Sequence, residues 1–144
     1  MTAYLFAGQG SQYVGMGKDL YESFPASRSV FEKADRVLGF SLSRLCFEGP
    51  QDELTLTHNC QPAILTVSLA CLEAFKSTAE YDPSAVRYAA GLSLGEYSAL
   101  VAASAISFED AVYLVRRRGE FMEEEAAKNP GKMLSLLGLE LDKV

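Results

Sequence analysis

The sequence has no tryptophan, a single histidine and only three cysteines among its 144 residues. The cysteines are odd in number and none has C-x-x-C spacing, which argues against a disulfide framework and a metal cluster. Cys71 lies in a strongly apolar run, and we interpret it as a buried, reduced thiol. His58 is the one histidine, so a catalytic or metal-binding histidine elsewhere in the chain is excluded.

Long apolar runs and an excess of basic charge are also missing. No run approaches the ~18–20 residues that span a membrane, and residues 1–6 lack the basic start of a signal peptide. The balance of 13 basic and 19 acidic residues gives a net charge of −6. This charge offers no surface for nucleic acid or an anionic membrane. We therefore expect a cytoplasmic protein that binds neither.

The residues that are present predict a globular α/β protein. Hydrophobic residues make up 49% and charged residues 22%, so the chain can bury a core and is not disordered. Residues 48–60 are polar and turn-rich. Apolar runs predict strands at 3–7, 86–91 and 133–139, and helical spacing predicts helices at 26–38, 61–77, after Gly95, and from Ser107 to about 127. This alternation is typical of a parallel sheet.

Residues 91–95, Gly-Leu-Ser-Leu-Gly, match the G-x-S-x-G pattern between a predicted strand and a predicted helix. In that context the glycines permit a cramped turn that exposes the hydroxyl of Ser93 as a nucleophile. The amide of Leu94 would then lie at a helix N-terminus, where it can donate to an oxyanion. A purely structural turn is the alternative interpretation.

A serine nucleophile needs a general base, and His58 is the only histidine that could serve. It precedes Ser93 and borders a polar loop, so we interpret it as a surface or helix-start histidine. The sequence thus predicts a nucleophile whose base is missing.

A second glycine-rich loop, Gly-Gln-Gly-Ser-Gln, follows the first predicted strand at 8–12. It lacks the lysine of a phosphate-binding loop and the full dinucleotide fingerprint. Loops at the carboxyl ends of parallel strands share one crevice. Gln9 could therefore offer a second backbone N–H opposite Leu94, unless the loop is an ordinary turn.

Three consecutive arginines, Arg116 to Arg118, lie on a predicted helix, where successive side chains point about 100° apart. We interpret Arg116 and Arg117 as a solvated face complementing the acidic run at 123–125. An inward-pointing arginine would grip a carboxylate. Spacing alone does not choose which of the three points inward.

Together these motifs resemble the malonyl-CoA:acyl carrier protein transacylase family and the related acyltransferase domains of polyketide synthases. The resemblance is carried by five segments: GQGSQ at 8–12, MG at 16–17, QPA at 61–63, GLSLGEYSAL at 91–100 and RRRGEFM at 116–122. It implies an α/β-hydrolase-like core with a nucleophile elbow over residues 1–128. Residues 129–144 would then begin a small ferredoxin-like subdomain.

The resemblance also implies a role for each matching residue. Ser93 would accept the acyl group, the amides of Gln9 and Leu94 would form the oxyanion hole, and Arg118 would pair with the malonyl carboxylate. Gln61 would line the same cleft. The family's reaction, which the resemblance implies here, is ping-pong: malonyl passes from coenzyme A to the serine and then to the phosphopantetheine thiol of acyl carrier protein, without metal or redox cofactor.

This sequence departs from the family pattern at three points. Leu92 stands in the substrate-binding position where the family usually has histidine, and Ala7 replaces a common proline. The family's catalytic histidine would lie beyond residue 144, so the chain resembles the N-terminal half of a transacylase. We expect little turnover from these 144 residues alone, and a monomer at full length.

Two other functions remain open at this point. One is an acyl hydrolase acting on carrier proteins, against which Arg118 argues, since simple acyl chains need no carboxylate clamp. The other is a non-catalytic half-domain that binds carrier protein, which the missing base favours and the intact motifs oppose.

Overall fold

The computed structural model of the chain describes residues 1–131 and Gly138. Its elements are β1 (Thr2–Phe6), α1 (Lys18–Ser23), α2 (Pro25–Leu38), α3 (Leu42–Glu48), α4 (Gln51–Thr55), α5 (Thr57–Lys76), a 3-10 turn (Pro83–Ala85), β2 (Val86–Gly91), α6 (Leu94–Ala102) and α7 (Phe108–Lys128). The strand predicted at 133–139 lies outside the described residues except for Gly138, as does most of the segment 129–144. No described helix combines the length and apolar composition needed to cross a membrane.

The two strands form a parallel sheet, as predicted. Leu5 pairs with Ala90 and Phe6 with Gly91, and helices α1 to α5 lie in the long connection between the strands. Because the register aligns the last residues of both strands, the loops that follow them meet at one edge. This edge holds both glycine-rich motifs.

The helices predicted from periodicity are present. Helix α2 ends at Gly39, whose φ of 72° is the left-handed cap that glycine favours. Helix α7 is capped by Ser107, the residue before its first, whose Oγ accepts the N–H of Asp110 at 3.0 Å. The predicted boundaries of these two helices therefore agree with the structure, and a local cap marks each one.

The region predicted as polar and turn-rich, 48–60, contains more helix than expected. Residues 51–55 form α4, and α5 starts at Thr57 rather than near Gln61. Leu54 of α4 is completely buried, so packing rather than a long apolar repeat stabilises this five-residue helix. Helix α3 was not predicted either, and it is held by the burial of Leu42 and Cys46.

The long helix α5 is central to the core and packs against α2 and α7. The prediction that Cys71 is buried is wrong, because Cys71 is exposed. Its side of α5, together with Phe75 and the β1 residue Leu5, lines an open apolar groove. An apolar helix is buried only where another element covers it, and none of the described elements covers this side.

Candidate active site

Ser93 lies in the turn between β2 and α6, with φ 54° and ψ −100°. A positive φ is rare outside glycine and costs on the order of 1–3 kcal/mol, so the surrounding structure must hold Ser93 in this conformation. The backbone N–H of Ser93 donates to Glu96 Oε1 at 3.2 Å, fixing the turn to the first turn of α6. The predicted strand–turn–helix arrangement around Ser93 is thus present.

The two glycines of the motif allow backbone segments to touch. A Cβ on Gly91 would lie 2.1 Å from the carbonyl carbon of Gly95, and one on Gly95 would lie 2.5 Å from the carbonyl oxygen of Phe6. No larger residue fits either position without moving the backbone. The start of α6 is consequently pressed against the ends of both strands.

The loop after β1 lies against the same turn. A Cβ on Gly8 would be 3.0 Å from the Leu92 carbonyl oxygen, so the first glycine loop and the serine motif are in contact. Gln9 follows in this loop and is exposed. Leu94 is the first residue of α6, whose N–H has no intrahelical acceptor. Their role as an oxyanion hole stays a prediction.

Arg118 joins the serine to α5. Its Nη2 donates to Ser93 Oγ at 2.8 Å, and its Nη1 donates to Gln61 Oε1 at 2.8 Å. The guanidinium carbon lies 5.9 Å from the centroid of the Tyr97 ring, within cation–π range. The structure thus brings together the predicted residues Ser93, Gln61 and Arg118.

Gln61 is completely buried, and both ends of its amide have partners. Its Oε1 accepts from Arg118, while its Nε2 donates to the sulfur of Met122 at 3.3 Å. The sequence reasoning missed Met122 and Tyr97. Met122 follows Arg118 by four positions on α7, the spacing that places side chains on one face, and Tyr97 lies in the first turn of α6 directly after Ser93.

The sequence predicts that Arg116 and Arg117 form a solvated face that complements the acidic residues 123–125. The acidic partner is wrong for both arginines, and for Arg116 the predicted exposure to solvent is wrong as well. Both arginines pair with Glu120, the Arg116 Nε at 2.9 Å. The Arg116 side chain is only 24% exposed, because its Nη1 reaches α5 and donates to the His58 carbonyl at 3.0 Å. Packing against a second helix determines this orientation, which helical spacing alone cannot show.

His58 is the second residue of α5, in agreement with the helix-start interpretation. Its Nδ1 pairs with Glu123, and its backbone N–H donates to Glu123 Oε1 at 3.3 Å. Burial raises the pKa of the Glu123 carboxyl, but its hydrogen bonds and charge interaction with His58, together with a backbone hydrogen bond from Thr57, outweigh burial and hold that pKa below its usual value. Within residues 1–131, no histidine is hydrogen-bonded to Ser93.

Leu92 precedes the serine, and its side chain is 80% exposed. It lies beside Ser93 at the edge where both strand loops meet, and it offers no hydrogen-bonding atom. Across the described part of the chain, no group of three or more histidine, cysteine or acidic side chains is placed to hold a metal.

These features define a class: a parallel α/β protein with a serine held at positive φ between strand and helix and an arginine on its hydroxyl. Residues 3–142 match the family model described as "Acyl transferase domain". The chain belongs to the acyl transferase domain family.

Three similar proteins illustrate the relationship. The malonyl CoA-acyl carrier protein transacylase of Bacillus subtilis strain 168 is 55% identical over 140 residues, covering 97% of this chain and 43% of that protein. The crystal structure of an acyl-carrier-protein-S-malonyltransferase from Bartonella henselae is 48% identical with a TM-score of 0.80, covering 85% of this chain and 40% of that one. A type II polyketide-synthase acyl carrier protein in complex with its malonyl-transacylase contains a chain 44% identical, with a TM-score of 0.77, covering 85% of this chain and 38% of that one. The chain thus spans less than half the length of these relatives.

Proposed function

We propose that the protein is an acyltransferase that moves a malonyl group from malonyl-CoA to the phosphopantetheine thiol of acyl carrier protein. The observation that carries this proposal is the Arg118 guanidinium, which donates to both Ser93 Oγ and Gln61 Oε1. A guanidinium fork matches a carboxylate, and malonyl differs from acetyl by a free carboxylate. The relatives named for malonyl transfer support the same substrate.

The first half-reaction forms an acyl-serine. Ser93 Oγ attacks the thioester carbonyl of malonyl-CoA and forms a C–O bond in a tetrahedral intermediate. Collapse of this intermediate breaks the C–S bond, and coenzyme A leaves as its thiol with the proton that the serine gave up. The amides of Gln9 and Leu94 would donate to the oxyanion of the tetrahedral intermediate. The family resemblance implies a base for the serine proton, a histidine downstream of residue 144.

The second half-reaction reverses this chemistry with another thiol. The phosphopantetheine sulfur of acyl carrier protein attacks the ester, the C–O bond breaks, and Ser93 regains its proton. The complex of a carrier protein with a malonyl-transacylase that resembles this chain supports that partner. Neither half-reaction changes an oxidation state, so we propose no redox cofactor; the family resemblance implies no metal either, and we leave the pathway as fatty-acid or polyketide synthesis.

The finer architecture is part of this proposal. The positive φ of Ser93 and the contact between Gly95 and the Phe6 carbonyl support a nucleophile elbow in an α/β-hydrolase-like core over 1–128. Residues 129–144 would begin a ferredoxin-like subdomain. Leu92, apolar and exposed where the family usually has histidine, would alter the acyl selectivity and the rate without replacing the nucleophile.

Acylation of Ser93 is the direct test. The protein at its natural length is incubated with malonyl-CoA, and intact-mass and peptide mass spectrometry locate the adduct. We expect one malonyl group on Ser93, none in Ser93→Ala, and discharge when carrier protein bearing phosphopantetheine is added. A folded protein that takes up no malonyl group would refute the proposal.

A further inference from the structure

Helix α5 contains a proline, Pro62, in its second turn. Proline has no N–H, so the carbonyl four residues earlier, at His58, loses its helical donor. Arg116 of α7 supplies the replacement: its Nη1 donates to the His58 carbonyl at 3.0 Å and to Asn59 Oδ1 at 2.7 Å. A side chain from another helix thus fills a gap in the backbone ladder of α5.

Two further contacts hold the same end of α5 on α7. Glu123 accepts the His58 N–H at 3.3 Å and pairs with its ring. A Cβ on Gly119 would lie 2.5 Å from the His58 Cα, so the two backbones are in direct contact there. Arg116, Gly119 and Glu123 are spaced by three and four residues, which places them on one face of α7. We call these three residues the α7 clamp.

The clamp flanks the contacts that lead to the serine. Arg118 and Met122 lie between the clamp residues in the sequence of α7. Both are hydrogen-bonded to Gln61, which follows His58 by three residues on α5. Gln61 is completely buried, so it moves with the first turns of α5 rather than by itself. Any shift of those turns along α7 would change the placement of the Gln61 oxygen that holds Arg118.

We propose that Arg116 is a positioning residue for acyl selectivity: by fixing the first turn of α5 to α7, it sets where Gln61 holds Arg118 and thereby aims Arg118 at Ser93. The inference rests on the proposed function. Arg116 reaches neither Ser93 nor Gln61 itself, and its charge is met by Glu120 at 2.9 Å. A guanidinium suits this position because it donates in several directions while remaining charged.

The test compares Arg116→Met with Arg117→Met, the adjacent arginine, which also pairs with Glu120. For each variant at natural length, kcat and KM are measured with malonyl-CoA and acetyl-CoA. We expect Arg116→Met to lower the malonyl preference roughly tenfold, mainly through KM for malonyl-CoA, since a 1 Å misplacement can cost ~10²-fold. Arg117→Met should stay within about twofold of the unchanged protein. Arg116→Lys keeps a charged donor group but loses the planar guanidinium fork, and should fall between.

A second variant tests the cause. Pro62→Ala restores a backbone N–H that can donate to the His58 carbonyl. In this background Arg116→Met should have a clearly smaller effect on the malonyl preference than it has alone. Thermal unfolding of each variant checks that the compared proteins are folded. If Arg116→Met does not fold, Arg116→Lys is compared in its place.

The outcomes separate the inference from the proposed function. An Arg116→Met protein that is less stable but keeps its malonyl preference would overturn the positioning role. The role would also be overturned if Arg116→Met lowered the malonyl preference as much in the Pro62→Ala background as it does alone. Arg118→Ala is the reference: if it abolishes the preference while Arg116 variants do not, the function stands and the inference fails. If Arg118→Ala changes nothing although malonyl is still transferred, Arg118 is not in the substrate site and the inference fails; if the unchanged protein takes up no malonyl group, the proposed function itself fails.

Discussion

The guanidinium of Arg118 donates to the hydroxyl oxygen of Ser93 at 2.8 Å, and its other terminal nitrogen donates to Gln61 at the same distance. One arginine therefore links the turn after β2 to the buried helix α5. In this arrangement the serine hydroxyl accepts a hydrogen bond from Arg118 Nη2, and a carboxylate would accept that bond more strongly. A malonyl carboxylate would take that donor and release the hydroxyl for attack.

The first prediction concerns this arginine. Arg118→Ala should lower kcat/KM for malonyl-CoA by about 10- to 100-fold, because a hydrogen bond to a charged group contributes about 1.5–3 kcal/mol. The value for acetyl-CoA should change much less, since acetyl has no carboxylate. Steady-state kinetics with both substrates measures the shift, with Arg117→Ala as the matched control. An unchanged ratio would remove Arg118 from the substrate site.

The second prediction concerns the backbone of Ser93. Ser93→Ala and Ser93→Gly both remove the hydroxyl that Arg118 contacts, but only glycine relieves the positive φ of 54°. Relief of the backbone strain would stabilise the glycine variant by about 1–3 kcal/mol. This exceeds the ~0.4–1 kcal/mol of stability that glycine loses relative to alanine because the unfolded chain is more flexible. Urea unfolding should therefore find the glycine variant more stable by about 1 kcal/mol.

The comparison between these two variants isolates the strain, because any effect of the lost hydroxyl is common to both. Equal stability, or a more stable alanine variant, would mean that the turn imposes no strain on residue 93. The malonyl adduct should be absent from both variants.

The sequence predicts the serine turn well because its signals are local. Gly91, Ser93 and Gly95 lie within five residues, and the strand and helix on either side have their own apolar periods. Short helices such as α4 carry no such period, since a single buried leucine, Leu54, anchors that helix. Propensity and spacing within the segment do not contain this information.

The role of Arg116 could not be predicted for a related reason. Its acceptor is a carbonyl on α5 that is free only because Pro62 lies four residues later. The proline and the arginine are 54 positions apart in sequence, and each alone has an ordinary interpretation. Only the packing of α7 on α5 connects them.

The third prediction concerns Glu123, whose pKa His58 holds below its usual value despite burial. A lowered carboxyl pKa in the folded state adds stability that is fully present above the ordinary pKa of about 4.3 and is lost as the pH falls below that value and through the lowered pKa of the folded state. The difference in unfolding free energy between the unchanged protein and Glu123→Gln should therefore shrink between about pH 6 and pH 3.

Glu124→Gln is the matched control for this measurement, since Glu124 is the exposed neighbour on the same helix. Urea unfolding at several pH values should give a nearly flat difference for that variant. A Glu123→Gln difference that grows on acidification would show that His58 does not stabilise the carboxylate.

The fourth prediction concerns the three thiols. Burial, with a contribution from Asp35, raises the pKa of Cys46 to about 12, and burial with Glu123 raises that of Cys60 to about 11. Cys71 is exposed on the open side of α5. Because the thiolate is the reactive form, iodoacetamide at about pH 8 should label Cys71 in the native 144-residue chain and leave the two buried thiols unmodified.

Unfolding in guanidinium should make all three thiols reactive, and native Cys71→Ser should take up almost no label. Peptide mass spectrometry assigns each modified cysteine. Native labelling of Cys46 or Cys60 at the rate of Cys71 would mean that the packing of α3 or of the first turn of α5 opens readily. For Cys60 that opening would also separate α5 from the α7 clamp, because Cys60 lies between His58 and Gln61 in the helix that the clamp holds. Slow labelling of Cys60 in the unchanged chain and faster labelling in Arg116→Met would therefore report the attachment of α5 to α7 without any measurement of catalysis.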